Sequence, residues 1–172
     1  IFGNFFRSNT GSAWDNAGAT TTVGIFVRNV FASNGRGIYD TGTTRTQLMY
    51  VIGNTFANHT NDGLRSDETT GSITLALVNN LIYGNGAFGI NLQDGQTEND
   101  ARVLLNRNNA YGANSSGPRN NLSAGTDDVA LSADPFTSAA GGDYSLNNTA
   151  GGGAACREAA YPGAFLGGTT TG

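Results

Sequence analysis

The chain has 172 residues and a net charge of −4, which argues against nucleic acid as a partner, and no apolar run reaches the roughly 20 residues of a membrane span. Gly, Asn and Thr supply 26, 21 and 20 residues, only 13% of residues are charged, and all nine basic residues are arginines. Helix surfaces need residues such as Lys and Glu, whereas Gly, Asn and Thr favour turns and strands, so we predict an all-β fold.

A repeat of 25 residues begins at the start of the chain. Its most regular position is an asparagine, found at Asn4, Asn29, Asn54 and Asn79. Two residues after each asparagine stands a large apolar side chain, in the order Phe6, Phe31, Phe56 and Leu81. A second apolar position follows nine to eleven residues after each asparagine, at Trp14, Ile38, Leu64 and Ile90. A fifth copy, with Val103, Leu105, Asn109 and Tyr111, follows a longer loop over residues 93–100.

This period predicts a right-handed parallel β-helix, a solenoid of about five coils. Each unit carries short alternating runs and no helical period, and equivalent strands of adjacent coils would stack about 4.8 Å apart. We expect the even-numbered offsets before each asparagine to face inward, at Ile25 and Val27, then Leu48, Tyr50 and Ile52, then Ile73, Leu75 and Leu77. The asparagines would occupy a turn in a left-handed or bridging conformation and form a hydrogen-bonded ladder.

The repeats resemble the right-handed parallel β-helix proteins of the pectin-lyase-like superfamily. The resemblance rests on Asn-x-Phe in the first three copies and on Gly-Ile or Gly-Leu at Gly37, Gly63 and Gly89. It covers roughly residues 1–115 and implies the parallel β-helix fold. It also implies that the chain is the C-terminal portion of a secreted or surface bacterial protein. It also implies a choice between enzymes that act on polysaccharides and surface proteins without catalytic activity.

The remaining segment, residues 116–172, is rich in Gly and Ala and loses the repeat. We therefore divide the chain into coils over residues 1–115 and an irregular C-terminal segment over 116–172, which would cap the open end of the solenoid. Because the first residue is Ile1 and the repeat begins inside a coil, we expect a processed product or a piece of a larger protein, with further coils or another chain stacked against Ile1.

No catalytic constellation is apparent in the sequence. The only histidine, His59, lies in a polar Asn-His-Thr-Asn-Asp-Gly run that predicts an exposed turn. The pair Asp127 and Asp128 follows Gly125 and resembles part of a polygalacturonase motif, but its companion motifs are missing, so we interpret it as a solvated turn pair. Cys156 has no partner for a disulfide and is interpreted as a small buried residue.

One outward surface is the candidate site. If Ile38, Leu64 and Ile90 face inward, the residues that follow them should stack outside, and a glycan could bind at Tyr39, Arg65, Asn91 and Gln93. Acidic residues at nearly equivalent positions could share a Ca²⁺ ion, namely Asp40, Asp67, Glu68 and Asp94. The alternative for the same residues is a solvated face on which acidic side chains discourage edge aggregation.

Two functions follow from these observations. The first is a non-catalytic structural or adhesive solenoid module of an extracellular or cell-surface protein, which stacks end to end with its own copies or binds polysaccharide. The second is a polysaccharide lyase or glycoside hydrolase, with Arg65 as base or carboxylate clamp and Asp67 and Asp94 as metal ligands. We favour the non-catalytic function, without a required cofactor and without membrane insertion.

Overall fold

Each repeat folds into three short strands, and a computed structural model describes residues 1–18, 22–41, 46–67, 72–93 and 102–159. In chain order the strands are β1 (Phe5–Arg7), β2 (Ser12–Asn16), β3 (Thr22–Val27), β4 (Val30–Ala32), β5 (Arg36–Asp40), β6 (Thr46–Ile52), β7 (Thr55–Ala57), β8 (Leu64–Ser66), β9 (Ser72–Val78), β10 (Leu81–Tyr83), β11 (Phe88–Leu92), β12 (Arg102–Arg107), β13 (Ala110–Gly112), β14 (Gly117–Asn120), β15 (Val129–Ala130), β16 (Phe136–Ser138) and β17 (Asp143–Leu146). A short 3₁₀ turn (Ala139–Gly141) joins β16 to β17, and helix α1 (Gly153–Ala159) follows.

Strands from successive coils pair in parallel and form three sheets. Sheet I has the order β1-β4-β7-β10-β13-β15, sheet II is β14-β11-β8-β5-β2, and sheet III is β12-β9-β6-β3. As far as β14, every third strand therefore lies in the same sheet, which is the connectivity of a solenoid. The predicted all-β parallel solenoid is confirmed, but it has about four turns where we expected about five.

Aromatic rings form a single file through the interior behind sheet I. Phe6 stacks on Phe31 and Phe31 on Phe56, with ring centroids 5.0 Å apart in both pairs. The register then pairs Phe56 with Ile82 and Ile82 with Tyr111. The file of Phe6, Phe31 and Phe56 is as predicted, but Leu81 was the wrong continuation, because it packs with Phe136 on the outside of the sheet.

In sheet III the prediction and the structure also differ by one residue in which side chains face inward. In β9, Ile73, Leu75 and Leu77 are buried, as predicted. In β6 the prediction was wrong, because Met49 and Val51 are fully buried while Leu48, Tyr50 and Ile52 are half-buried outside. In β3, Phe26 is buried, whereas Ile25 is 43% exposed and Val27 is half-buried. Side chains alternate between faces, so an alignment shifted by one residue exchanges inside for outside.

An asparagine ladder runs along the corner between sheets III and I. Backbone N–H groups donate to the Oδ1 atom of the next coil over 2.9–3.1 Å, in the order Asn4, Asn29, Asn54, Asn80 and Asn109. The side-chain amides donate to the same Oδ1 atoms. The predicted ladder is thus present, with Asn80 in the place expected for Asn79.

The left-handed conformation belongs to the residue before each ladder asparagine. Gly3, Arg28, Gly53, Asn79 and Asn108 all have φ between 54° and 64°. Asn79 therefore forms the turn, and the ladder position falls on Asn80. Our expectation that the ladder asparagines themselves adopt the left-handed conformation was wrong.

The C-terminal segment packs mainly along the flank of the solenoid. Strands β14 and β15 lie within the stretch expected to be irregular, and they extend sheets II and I. The antiparallel pair β16–β17 then covers the outside of sheet I. Phe136 packs against Tyr83, and Tyr144 reaches back to Phe5 in the first coil, with ring centroids 5.9 Å apart in each pair.

Candidate functional site

The predicted column forms on sheet II, but its third member, Asn91, is buried. Tyr39 pairs with Arg65 and Arg65 with Asn91 in adjacent strands, while Ile38, Leu64 and Ile90 are buried one residue earlier. A glycine directly precedes each of these apolar residues, at Gly37, Gly63 and Gly89, because the space beside its Cα atom is occupied. A Cβ atom at Gly37 would collide with the carbonyl oxygen of Gly63 and with the Phe56 ring.

Two carboxylates organise the column, and only one of them was predicted. Asp67 accepts hydrogen bonds from Arg65 Nε at 2.7 Å and from the Tyr39 hydroxyl at 2.8 Å. Asp62, whose side chain is only 2% exposed, lies 3.7 Å from Arg65 Nη1 and 3.8 Å from Arg36 Nε. Asp62 was missed because it stands in the same polar run as His59, which we interpreted as an exposed turn.

Amides extend the network along the sheet. Asp62 Oδ1 accepts from the Phe88 backbone N–H at 3.1 Å and from Asn91 Nδ2 at 3.2 Å. Asn91 Oδ1 in turn accepts from Asn120 Nδ2 at 2.9 Å. Arg65 Nη2 donates to Gln93 Oε1. We call the set Arg36, Tyr39, Asp62, Arg65, Asp67, Asn91 and Gln93 the outer network.

Charges within the outer network balance, because two guanidinium groups face two carboxylates. The guanidinium carbons of Arg36 and Arg65 lie 4.6 Å and 5.7 Å from the centre of the Tyr39 ring. Burial, followed by the hydrogen bond to Asp67, raises the pKa of the Tyr39 hydroxyl. The hydrogen bond to Asp67 likewise raises the pKa of Arg65, so this guanidinium is held in its charged form and is unsuited to act as a base.

The predicted calcium ligands do not converge among the described residues. Asp40 is fully buried and lies one residue beyond outward-facing Tyr39, on the inward side of β5. Both oxygens of Asp67 are engaged by Arg65 and Tyr39. Glu68 and Asp94 lie outside the described residues. Within the described ranges no group of three or more His, Cys, Asp or Glu side chains could hold a metal ion.

His59 is a buried member of a second ladder, so its prediction as an exposed turn residue was wrong. It is 2% exposed, its backbone N–H donates to Asn85 Oδ1, and its Nδ1 accepts from the Asn34 backbone N–H, both at 3.1 Å. The whole ladder follows the corner between sheets I and II and comprises Asn9, Asn34, His59, Asn85 and Asn114. Burial lowers the pKa of His59 to about 4.

A sequence signal for this second ladder was present. In every coil the second ladder residue follows the first by five positions, as Asn29 precedes Asn34 and Asn54 precedes His59. The full motif is therefore Asn-x-apolar-x-x-Asn, with His59 substituting for the last asparagine. Aligning both asparagines together would also have selected Asn80, because Asn85 lies five positions beyond it.

The interpretation of Asp127 and Asp128 as a solvated turn pair is right for Asp127 and wrong for Asp128. Asp128, with a side chain 7% exposed, accepts from the Asn109 and Gly125 backbone N–H groups and from Arg119 Nη1. It therefore ends the first ladder with a carboxylate. Asp127 remains exposed beside Arg107.

Two cavities lie away from the outer network. One of about 820 Å³ separates α1 and Tyr144 from the corner formed by Gly53, Asn79 and Asn108. Cys156 lines this cavity and is half-buried, where we expected a fully buried residue, and this burial raises the pKa of its thiol to about 11. The other cavity, of about 360 Å³, lies above Tyr111 at the C-terminal end of the solenoid.

Comparison of the chain with protein-family models, with curated proteins and with solved structures gives no match. The solenoid fold and its ladders therefore stand on the structure itself, and the likeness to the pectin-lyase-like superfamily remains an interpretation of the repeat motifs. In the described part of the chain, no helix has the length and apolar character needed to cross a membrane.

Proposed function

We propose that the chain is a non-catalytic structural or adhesive β-solenoid module of an extracellular or cell-surface protein. The observation that carries this proposal is that Arg65 and Asp67, the central charged groups of the outer network, are engaged by other members of that network. Arg65 contacts Asp62, Asp67 and Gln93, and Asp67 is shared with Tyr39. These side chains hold neighbouring coils together, and none of them offers the unpaired base or acid that polysaccharide cleavage needs.

The extracellular or cell-surface location rests on the resemblance of the repeats to the β-helix superfamily. The interactions we propose for the module are end-to-end contact with another solenoid and weak binding of polysaccharide along sheet II. Half-buried Tyr39, Arg65 and Gln93 are the groups on this face that a glycan would meet.

Catalysis is tested by incubating the protein with pectate, alginate and neutral polysaccharides. Formation of unsaturated uronates is followed by ultraviolet absorbance, and hydrolysis by the release of reducing ends. We expect no turnover with or without Ca²⁺. Turnover that Arg65→Gln abolishes at a temperature where the variant is still folded would show that the alternative, a polysaccharide lyase or hydrolase, is correct.

Adhesion is tested on a glycan array with wild type, Arg65→Gln and the control Arg28→Gln. Arg28 is exposed at the corner between sheets III and I and belongs to neither ladder nor outer network. Loss of glycan binding in Arg65→Gln alone would support adhesion through sheet II. Equal binding by all three proteins would exclude sheet II as the adhesive face.

A further inference from the structure

Both Asn-Gly pairs of the chain lie at the same position of the repeat. Asn34-Gly35 and Asn85-Gly86 each join a residue of the second ladder to the glycine after it, and no other asparagine in the sequence is followed by glycine. Packing requires these glycines, because a Cβ atom at either position would collide with a carbonyl oxygen of the preceding coil. The corner between sheets I and II therefore imposes this pair on the chain.

An asparagine followed by glycine is the pair at which a polypeptide loses side-chain ammonia most readily. The backbone nitrogen of the glycine attacks Cγ of the asparagine, the Cγ–Nδ2 bond breaks, and the proton of the attacking nitrogen departs with the ammonia. Water then opens the resulting succinimide ring at either carbonyl and gives aspartate or isoaspartate. Glycine favours ring closure because it has no Cβ atom to restrict the approach of its nitrogen.

Every group that would react at Asn34 is held by the preceding coil. The Gly35 N–H, whose nitrogen would attack, donates to the carbonyl oxygens of Asn9 at 2.9 Å and Gly11 at 2.8 Å. Asn34 Oδ1 accepts twice from Asn9, and Nδ2, the leaving nitrogen, donates to the Phe6 carbonyl, all at 3.0 Å. Because Asn34 is only 1% exposed, the water needed to open the ring is also excluded.

Asn85 is held by the coils on both sides of it. The Gly86 N–H donates to the His59 carbonyl at 2.8 Å. Asn85 Oδ1 accepts from the His59 backbone N–H at 3.1 Å, and Asn85 Nδ2 donates to Asn114 Oδ1 at 2.8 Å. Asn85 is fully buried. At both sites the reacting atoms must leave these partners before the ring can close, so the reaction requires that the corner opens.

Conversion of either asparagine would remove a donor that the second ladder uses. Asn34 Nδ2 faces the Phe6 carbonyl, and Asn85 Nδ2 faces Asn114 Oδ1. A carboxylate in either place would set two acceptors against each other, and it would be a buried charge without a donor. Isoaspartate would in addition lengthen the main chain by a methylene group within the coil. A coil that has reacted therefore cannot close as before.

We propose that Asn34 and Asn85 are deamidation sites that react only in molecules whose second ladder has opened, and that the reaction prevents this corner from closing again. The folded solenoid is protected, whereas a long opening leaves a permanent covalent change. This inference goes beyond the proposed function and does not depend on it, because it concerns the lifetime of the folded coils and not what they bind.

The test compares the folded protein with the chain in guanidinium chloride, both at pH 8.5 and 37 °C. Trypsin releases residues 29–36 as one peptide, because an arginine precedes it and another ends it. This peptide contains Asn34 together with Asn29, a first-ladder asparagine that is followed by valine and serves as an internal control. Mass spectrometry locates the gain of one mass unit at each asparagine, and the tryptic peptide that contains Asn85 is measured in the same way.

We expect Asn34 and Asn85 to react in denaturant well ahead of Asn29. In the folded protein both should react at least about a hundredfold more slowly than in denaturant, because only the small open fraction reacts. A rate in the folded protein within about tenfold of the rate in denaturant would overturn the proposal. Equal rates at Asn34 and Asn29 in denaturant would do the same.

Refolding tests the second half of the proposal. The wild type is held in guanidinium chloride for increasing times and diluted, and we expect the refolded molecules to carry intact Asn34 and Asn85 while their yield falls with deamidation. The control Asn34→His/Asn85→His carries at both positions the residue that His59 contributes to the same ladder, and its yield should not fall. An equal fall in the control would overturn the proposal, as would refolded wild type as rich in aspartate and isoaspartate as the unfolded fraction. The wild-type comparison holds whether or not the control folds.

Discussion

Replacing His59 by asparagine changes the one imidazole in a ladder otherwise built of asparagines. Nδ1 accepts from the Asn34 N–H, so the neutral ring carries its proton on Nε2, which is buried and has no partner among the described residues. A second proton would have to enter at Nδ1, directly against that N–H group. Both burial and this geometry oppose the charged ring.

The effect on stability depends on pH. The folded pKa of about 4 lies below the unfolded value of 6.5, so the unfolded chain binds the proton more tightly between these two values. The stability is therefore fully present above pH 6.5 and is lost as the pH falls towards 4. At pH 4.5 the wild type should lose about 2–3 kcal/mol of unfolding free energy through this group alone.

Urea denaturation of wild type and His59→Asn at pH 7.5 and pH 4.5 measures this loss. The carboxylates titrate in both proteins and cancel when the two are subtracted, so the stability difference between variant and wild type should grow by about 2–3 kcal/mol at the lower pH. We also expect the variant to be at least as stable as wild type at pH 7.5, because an asparagine there can complete the ladder. A difference that stays constant between the two pH values would refute the buried, uncharged imidazole.

Three further predictions concern the ladder, the core and the outer network. Asn54→Ala should lower the free energy of unfolding by about 2–4 kcal/mol, because it leaves buried N–H groups without acceptors. Asn4→Ala at the exposed end of the ladder should cost under about 1 kcal/mol, and chemical denaturation compares the two variants. Gly37→Ala should melt well below wild type, because its Cβ would meet the backbone of the next coil, while Gly11→Ala, with open space around it, should melt close to wild type in the same calorimetric scan. Arg65→Gln should lower the free energy of unfolding, measured by urea denaturation, by about 1–3 kcal/mol, because two carboxylates lose their shared cation. An unchanged midpoint of urea unfolding would contradict the outer network as a stabilising element.

Part of the outer network could be predicted from the alternation of side chains along the strands. Alternation along β5 and β8 placed Tyr39 and Arg65 outside in one file, and the structure agrees. It could not show that Asp62, which stands in a turn before β8, folds beneath them and neutralises Arg65. A turn residue has no fixed periodicity, so its burial depends on the path of the neighbouring coil.

Sheet III shows where alternation fails. Outward positions Ile25, Tyr50 and Val78 are apolar, and so are inward positions Phe26 and Leu77. A strand that is apolar on both faces gives no signal for which face is inside. We therefore took the even offsets before each asparagine as inward, which is wrong before the ladder residues Asn29 and Asn54. The same rule succeeds in β9 because Asn79 stands one residue before the ladder asparagine Asn80.

The sequence by itself determined the coil period, the parallel β architecture and the stacking of Phe6, Phe31 and Phe56, because a repeat of 25 residues superimposes like side chains in adjacent coils. Only the tertiary structure decided the later register, since the ladder spacing lengthens to 26 residues between Asn54 and Asn80 and to 29 between Asn80 and Asn109. It also decided the burial of His59, whose polar neighbours signal a turn while the stack of coils above and below removes it from water.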